Sequence, residues 1–190
     1  SLGQPYRKMG QQGAPVCDVI FDDVRVPAES LVGGKENVGF ITAMKVLDKG
    51  RLHISAISVG VAERLIEDAT RYAIERKQFN QPIADFQLVQ AMLADSQTEM
   101  YAAACMVAET ARRRDSGEAV AAVAASCKLF ATEMVGRVAD RAVQIFGGAG
   151  YIEDYGIERF YRDVRLFRIY EGTSQIQQTV IAKDLIKRFQ

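Results

Sequence analysis

Proline disappears from the sequence after Pro82; the only others are Pro5, Pro15 and Pro27. Because proline lacks an amide donor and its ring collides with the preceding helical turn, its absence leaves the rest of the chain free to form long helices. Histidine is scarcer still. His53 alone excludes a multi-histidine metal centre and leaves a serine–histidine–acid triad one residue to recruit. In an apolar helical stretch such a residue is expected to be packed or hydrogen-bonded rather than catalytic. Cys17, Cys105 and Cys127 are odd in number, far apart and without C-x-x-C spacing, which argues against a cysteine metal or redox motif and for a reducing compartment. Net charge is missing too: 24 basic and 24 acidic residues cancel. No global field therefore draws nucleic acid or an anionic membrane, and an anionic ligand has to be met locally. No stretch approaches the roughly 18 to 20 uninterrupted apolar residues of a membrane span, and the amino end lacks a basic-then-apolar leader pattern.

What is present is apolar periodicity. Hydrophobic residues fill 48% of the 190 positions, enough for a substantial core. Val38, Ile41, Leu47, Val61, Leu65, Ala69, Tyr72 and Ala73 recur at helical spacing and predict one long helix from Val38 to about Lys77, with Asn37 as its cap. Pro82 ends that run and Asp85 offers the next cap. Phe86, Val89, Leu93, Met100, Ala104, Val107 and Ala111 then mark a second helix, ending in RRRDSGE. Glu118 to about Phe146 is a third, rich in alanine and stopped by GGAG. A shorter helix covers Glu158 to about Phe167, and the last begins at Thr173 or Ser174, where Ser174 and Gln177 fit a capping box. Before Pro27, the run Val16 to Val26 reads as one or two short strands, too few to make a stable sheet alone. The expected fold class is therefore all-α, an up-and-down four-helix bundle with a short N-terminal β segment. Residues 1–34 are expected to be the end of a β-domain and a linker, and residues 35–190 the bundle.

Four stretches exceed what bundle connections need: ERKQFNQPIADFQ (Glu75 to Gln87), QIFGGAGY (Gln144 to Tyr151), YRDVR (Tyr161 to Arg165) and IYEGTSQIQ (Ile169 to Gln177). Each has an ordinary reading. Arg76 and Lys77 suit a helix end, the glycines suit a helix stop, and Glu171 suits the first turn of a helix. Taken together and in this order, they resemble the acyl-CoA dehydrogenase family, from RVP through the Arg-Lys-x-Phe-x-x-Pro-Ile stretch to the Tyr-Glu-Gly-Thr-Ser signature. The resemblance covers nearly the whole chain. It corresponds to the end of that family's middle β-domain and its complete C-terminal helical domain, so the chain is expected to be part of a longer enzyme that alone binds flavin weakly.

The resemblance implies an FAD enzyme that converts an acyl-CoA thioester to the trans-2-enoyl-CoA and passes electrons to an electron-transferring flavoprotein. It implies that Glu171 is the catalytic base; branches that carry the base on the first long helix have a small residue in its place. It assigns Arg76, Gln78, Phe79, Phe86, Gln87, Gln144, Gly147 and Gly148 to the FAD of a neighbouring subunit, and Thr173 and Gln175 to a further cofactor contact at a helix start. Asp48, Arg51, Tyr170, Gly172 and Lys183 fall to the acyl-CoA substrate. A homodimer or homotetramer follows, in the cytoplasm of a bacterium or the mitochondrial matrix of a eukaryote. The base fits the chemistry: removing a weakly acidic carbon proton needs a carboxylate at the α-carbon and donors for the enolate. An acyl-CoA oxidase, using oxygen as acceptor, and a non-catalytic helical oligomerisation module are the alternatives. A nitroalkane oxidase, expected to use aspartate, fits Glu171 less well.

Overall fold

The computed structural model describes residues 1–190 apart from the side chain of Asp48, whose assignment to the substrate therefore lies outside the described residues. Five helices carry the fold: α1 (Gly39–Glu75), α2 (Gln87–Asp115), α3 (Ala121–Phe146), α4 (Ile157–Val164) and α5 (Ser174–Lys187). Helix α3 lies at the centre and packs against the other four. Its buried positions include Ala124, Ala125, Ala131, Ala139 and Ala142, small residues that let neighbouring helices come close on several sides at once. Facing them on α1 are Leu65, Ala69 and Ala73, at the spacing that one helical face requires. By contrast α2 buries only Ser96, Ala103 and Thr110, a seam at every seventh residue, and leaves its outer face to solvent. Ion pairs tie α2 to α3, with Glu99 accepting from Arg137 and Arg141 at 2.7 and 2.8 Å.

The expected all-α bundle is what forms, and α1 runs unbroken through Gly50 and Gly60. Several local expectations are corrected. The caps Asn37 and Asp85 are replaced by Val38 and Phe86, neither of which makes a side-chain cap bond. Asn37 instead takes a left-handed turn at φ 65°, and Asp85 ends a short 3₁₀ turn, Ile83–Asp85. Between α1 and α2 lies a hairpin of β1 (Lys77–Gln78) and β2 (Gln81–Pro82), turned by Phe79 and Asn80 at positive φ. The strands expected over residues 16–26 reduce to a bridge between Leu2 and Val19, because no third strand is at hand to extend the pairing. Helix α4 is shorter than expected and passes into a 3₁₀ turn, Arg165–Arg168. His53 is exposed on α1 rather than packed. Among the described residues no helix is long and apolar enough to cross a membrane, and no cluster of three metal-ligating side chains occurs.

Candidate active site

The turn from Ile169 to Thr173 joins the 3₁₀ segment to α5, and its backbone is unusual. Glu171 and Gly172 both lie in the left-handed region, at φ 56° and 85°. For a glutamate this conformation is strained by on the order of 1 kcal/mol, so the surroundings must hold it. Gln177, fully buried on α5, donates from Nε2 to the carbonyls of Glu171 at 3.1 Å and Gly172 at 2.9 Å. The Gly172 carbonyl also accepts from Lys128 Nζ on α3 at 2.8 Å. A side chain at Gly172 would put its Cβ 2.7 Å from that same Gln177 nitrogen, so position 172 must be glycine on grounds of space as well as φ.

The flanks of the turn are anchored to α3 as well. Arg168 donates to Glu133 at 3.3 Å, and the Ser174 hydroxyl donates to the other oxygen of Glu133 at 2.7 Å. That second bond explains why the expected capping box is displaced by one residue. Ser174 is engaged elsewhere, Gln177 turns inward, and Thr173 becomes the cap, accepting from the Ile176 amide at 3.3 Å. Tyr170 stacks on Phe167 with ring centroids 5.8 Å apart. Burial pushes its phenol up, partly offset by Gln11, with the Glu171 carboxylate adding to the rise.

The Glu171 side chain lies across α1 at Gly50. A Cβ placed on Gly50 would stand 2.5 Å from Glu171 Cδ, and closer still to one carboxylate oxygen. The carboxylate therefore occupies the space that any other residue at position 50 would fill. Next to it Arg51 is buried, at 7% exposure. Lys128 has its ammonium pushed down to about 8 by burial and Arg51, against the pull of Glu133 and Glu171. A half-buried carboxylate on an immobilised turn can act as a general base toward a carbon acid delivered to it. Among the described residues the backbone N–H of Glu171 has no acceptor, which leaves a donor beside the carboxylate.

A second group gathers at the other end of α1. Arg76, Gln78, Gly147 and Gly148 line one surface cavity of about 480 Å³, together with Tyr72 and Phe146, whose rings stack at 4.1 Å. Gly147 ends α3 at φ 59°, and added Cβ atoms at Gly147 and Gly148 would meet nothing, so the backbone there is open to a ligand. A guanidinium, an amide and bare backbone around aromatic rings are a donor set that fits an anionic dinucleotide. Phe79, exposed at the hairpin tip, meets the half-buried Phe86 edge-on at 6.2 Å, while Gln87 and Gln144 are exposed nearby on α2 and α3. Thr173 and Gln175 are not part of this group. They line a smaller cavity of about 180 Å³ with Glu133, Arg165 and Arg168. Lys183 is exposed on α5, and among the described residues no hydrogen bond or ion pair joins it to the Glu171 turn.

Sequence reasoning thus missed Gly50, Lys128, Glu133 and Gln177. Lys128 carried a signal: a lysine in step with Ala124, Ala131 and Val135 sits on the buried face of an alanine-rich helix. Gln177 lies close in sequence to the carbonyls it holds but reads from the sequence as a capping-box residue, and Gly50 and Glu133 meet the turn from remote positions that leave no sequence signal.

Residues 37–186 match the model of the acyl-CoA dehydrogenase C-terminal domain. The chain is 46% identical over 187 residues to the 3-(aryl)acrylate reductase of Clostridium sporogenes, covering 98% of this chain and 49% of that protein. It is 45% identical over 188 residues to the caffeyl-CoA reductase-Etf complex subunit CarC of Acetobacterium woodii, covering 99% and 49%. The structure of butyryl-CoA dehydrogenase from Megasphaera elsdenii superposes with a TM-score of 0.94 at 38% identity, covering 98% of this chain and 48% of that one. The chain spans about half the length of the curated relatives it matches. By its helices, its Tyr-Glu-Gly-Thr-Ser turn and these likenesses, the chain belongs to the acyl-CoA dehydrogenase family.

Proposed function

We propose that this chain supplies the catalytic base of an FAD-dependent enzyme acting on the α,β bond of an acyl-CoA thioester. The observation that carries the reading is the Glu171 carboxylate, held on a fixed left-handed turn and lodged against a glycine of α1. Glu171 takes the α-proton, and its own N–H donates to the thioester carbonyl as charge develops there. Bound FAD would supply the acceptor for the β-hydrogen, which leaves as hydride. Tyr170 and Gly172 border the base and Arg51 lies beside it, so these three are read as substrate contacts. Asp48 and Lys183 are assigned to the CoA portion by resemblance alone.

Arg76, Gln78, Gly147 and Gly148 are read as cofactor contacts, with Phe79, Phe86, Gln87 and Gln144 around them. About 26 residues of helix separate Gly50 from Arg76, roughly 39 Å at 1.5 Å per residue. The groups at the two ends of α1 therefore serve different flavins, which supports a homodimer or homotetramer in which each flavin is completed by a neighbour. Thr173 and Gln175 belong with the near flavin, beside the base. Two relatives are named as reductases and one as part of an Etf complex, which favours a second direction for the same chemistry. In that direction Glu171, protonated, returns a proton to the α-carbon of a 2-enoyl thioester, with an electron-transferring flavoprotein as the redox partner.

The test is Glu171→Gln in the full-length enzyme. Flavin content is expected to persist while oxidation of acyl-CoA and reduction of enoyl-CoA both vanish; normal turnover would falsify the assignment. Peroxide release during acyl-CoA turnover would identify an oxidase instead. Full-length protein that never takes up flavin would leave the oligomerisation module as the better reading.

A further inference from the structure

Lys128 is a poor choice for stability. Its side chain is completely buried, at 0% exposure, in the middle of the helix most enclosed by the others. Of its three ammonium donors one is used, on the Gly172 carbonyl, and among the described residues no carboxylate lies within ion-pairing distance. Burying a cation without a paired anion costs several kcal/mol, and an apolar residue of the same length packs there more favourably. The charged groups around it are mixed: Glu133 on its own helix, Arg51 on α1 and Glu171 on the turn. A residue that weakens the fold and yet reaches one backbone atom beside the base has its use in what it holds.

Gln177 also holds the turn, but it lies only five residues beyond Gly172 and moves with the same segment. Arg168 and Ser174 reach α3 through side chains on either flank. Among the described residues, Lys128 is the one group outside the segment that hydrogen-bonds the backbone of Glu171 or Gly172. We propose that Lys128 is a positioning residue for the Glu171 carboxylate, its ammonium pinning the Gly172 carbonyl to α3 and so fixing where the left-handed turn presents the base. The inference rests on Glu171 being that base. Without the pin, the turn keeps its local shape through Gln177 but loses its register against α1 and α3. A displacement of about 1 Å at a reacting atom is enough to slow a reaction about a hundredfold.

The experiment is Lys128→Met in the FAD-loaded full-length enzyme, compared with Glu171→Gln. Measured together are flavin content, Tm, kcat, KM, and the kinetic isotope effect with substrate deuterated at the α-carbon. Lys128→Met is expected to keep its flavin and melt no lower than wild type. Its kcat should fall at least tenfold with KM within about threefold, and the α-deuterium effect should grow as proton removal becomes limiting. Unchanged kcat would make Lys128 a packing residue only, and a loss of kcat that merely tracks lost flavin would do the same. A variant that does not fold also overturns the proposal, because it would mean that the fold needs the lysine. If Glu171→Gln turns over normally, the assignment of the base fails first, and that result is read independently of Lys128.

Discussion

Gly50→Ala separates the fold from the chemistry. In an α-helix interior alanine is favoured over glycine by about 1 kcal/mol, and Gly50 has no positive φ to forbid it. Its added Cβ would nevertheless stand 2.5 Å from Glu171 Cδ, where ordinary contact begins near 3.4 Å. The carboxyl carbon must therefore retreat by about 0.9 Å, its nearer oxygen by more, and a misplacement of this size costs about a hundredfold in rate. That loss corresponds to about 2.7 kcal/mol in the barrier. The variant should thus unfold in urea at the same or a slightly higher midpoint, retain flavin absorbance, and turn over about one hundredth as fast. Near-normal turnover with alanine at position 50 would refute the reasoning, since the carboxylate would then be working from somewhere else.

Two further outcomes follow from the charges. Lys128 has its folded-state pKa lowered to about 8, so between there and its unfolded value of about 10.5 the unfolded chain binds more protons and stability rises with pH. The cost, about 3 kcal/mol, is fully present below pH 8 and relieved toward pH 10.5; urea midpoints should show this rise in wild type relative to Lys128→Met. At the far end of α1, Arg76→Ala removes an exposed guanidinium and should leave stability unchanged. It should weaken FAD binding by about ten- to a hundredfold, as expected for a lost charged hydrogen bond of about 1.5 to 3 kcal/mol. Flavin titration of the apoenzyme reads that directly, and undiminished affinity would remove Arg76 from the cofactor site.

The helices were legible because their signals are local. With no proline after Pro82, the apolar spacing of Leu65, Ala69 and Ala73 reports the buried face of α1 directly. Glu171 was legible through its neighbours in the Tyr-Glu-Gly-Thr-Ser turn. Helix starts were less so, because capping is decided by tertiary partners: Glu133 takes the hydroxyl of Ser174, and Thr173 caps α5 in its place. The strands before Pro27 have β-branched residues but no third partner to complete a sheet, so propensity alone overstated them. Gly50 and Lys128 were missed for a related reason. The spacing of Lys128 marks it as buried, but what it holds, like the meaning of a glycine at position 50, emerges only when the Glu171 turn is folded against them.

Helix α1 runs from beneath the Glu171 carboxylate at Gly50 to its cap at Arg76, beside the open glycines, in one unbroken rod. Each residue of an α-helix advances the axis by 1.5 Å and rotates the next position by about 100°. Deleting a single residue between those points would therefore turn one end to face a different side of the bundle, whichever residue was removed. Side chains along this stretch can be exchanged one at a time, within the limits of packing. Its length cannot be edited without changing the phase between the two ends.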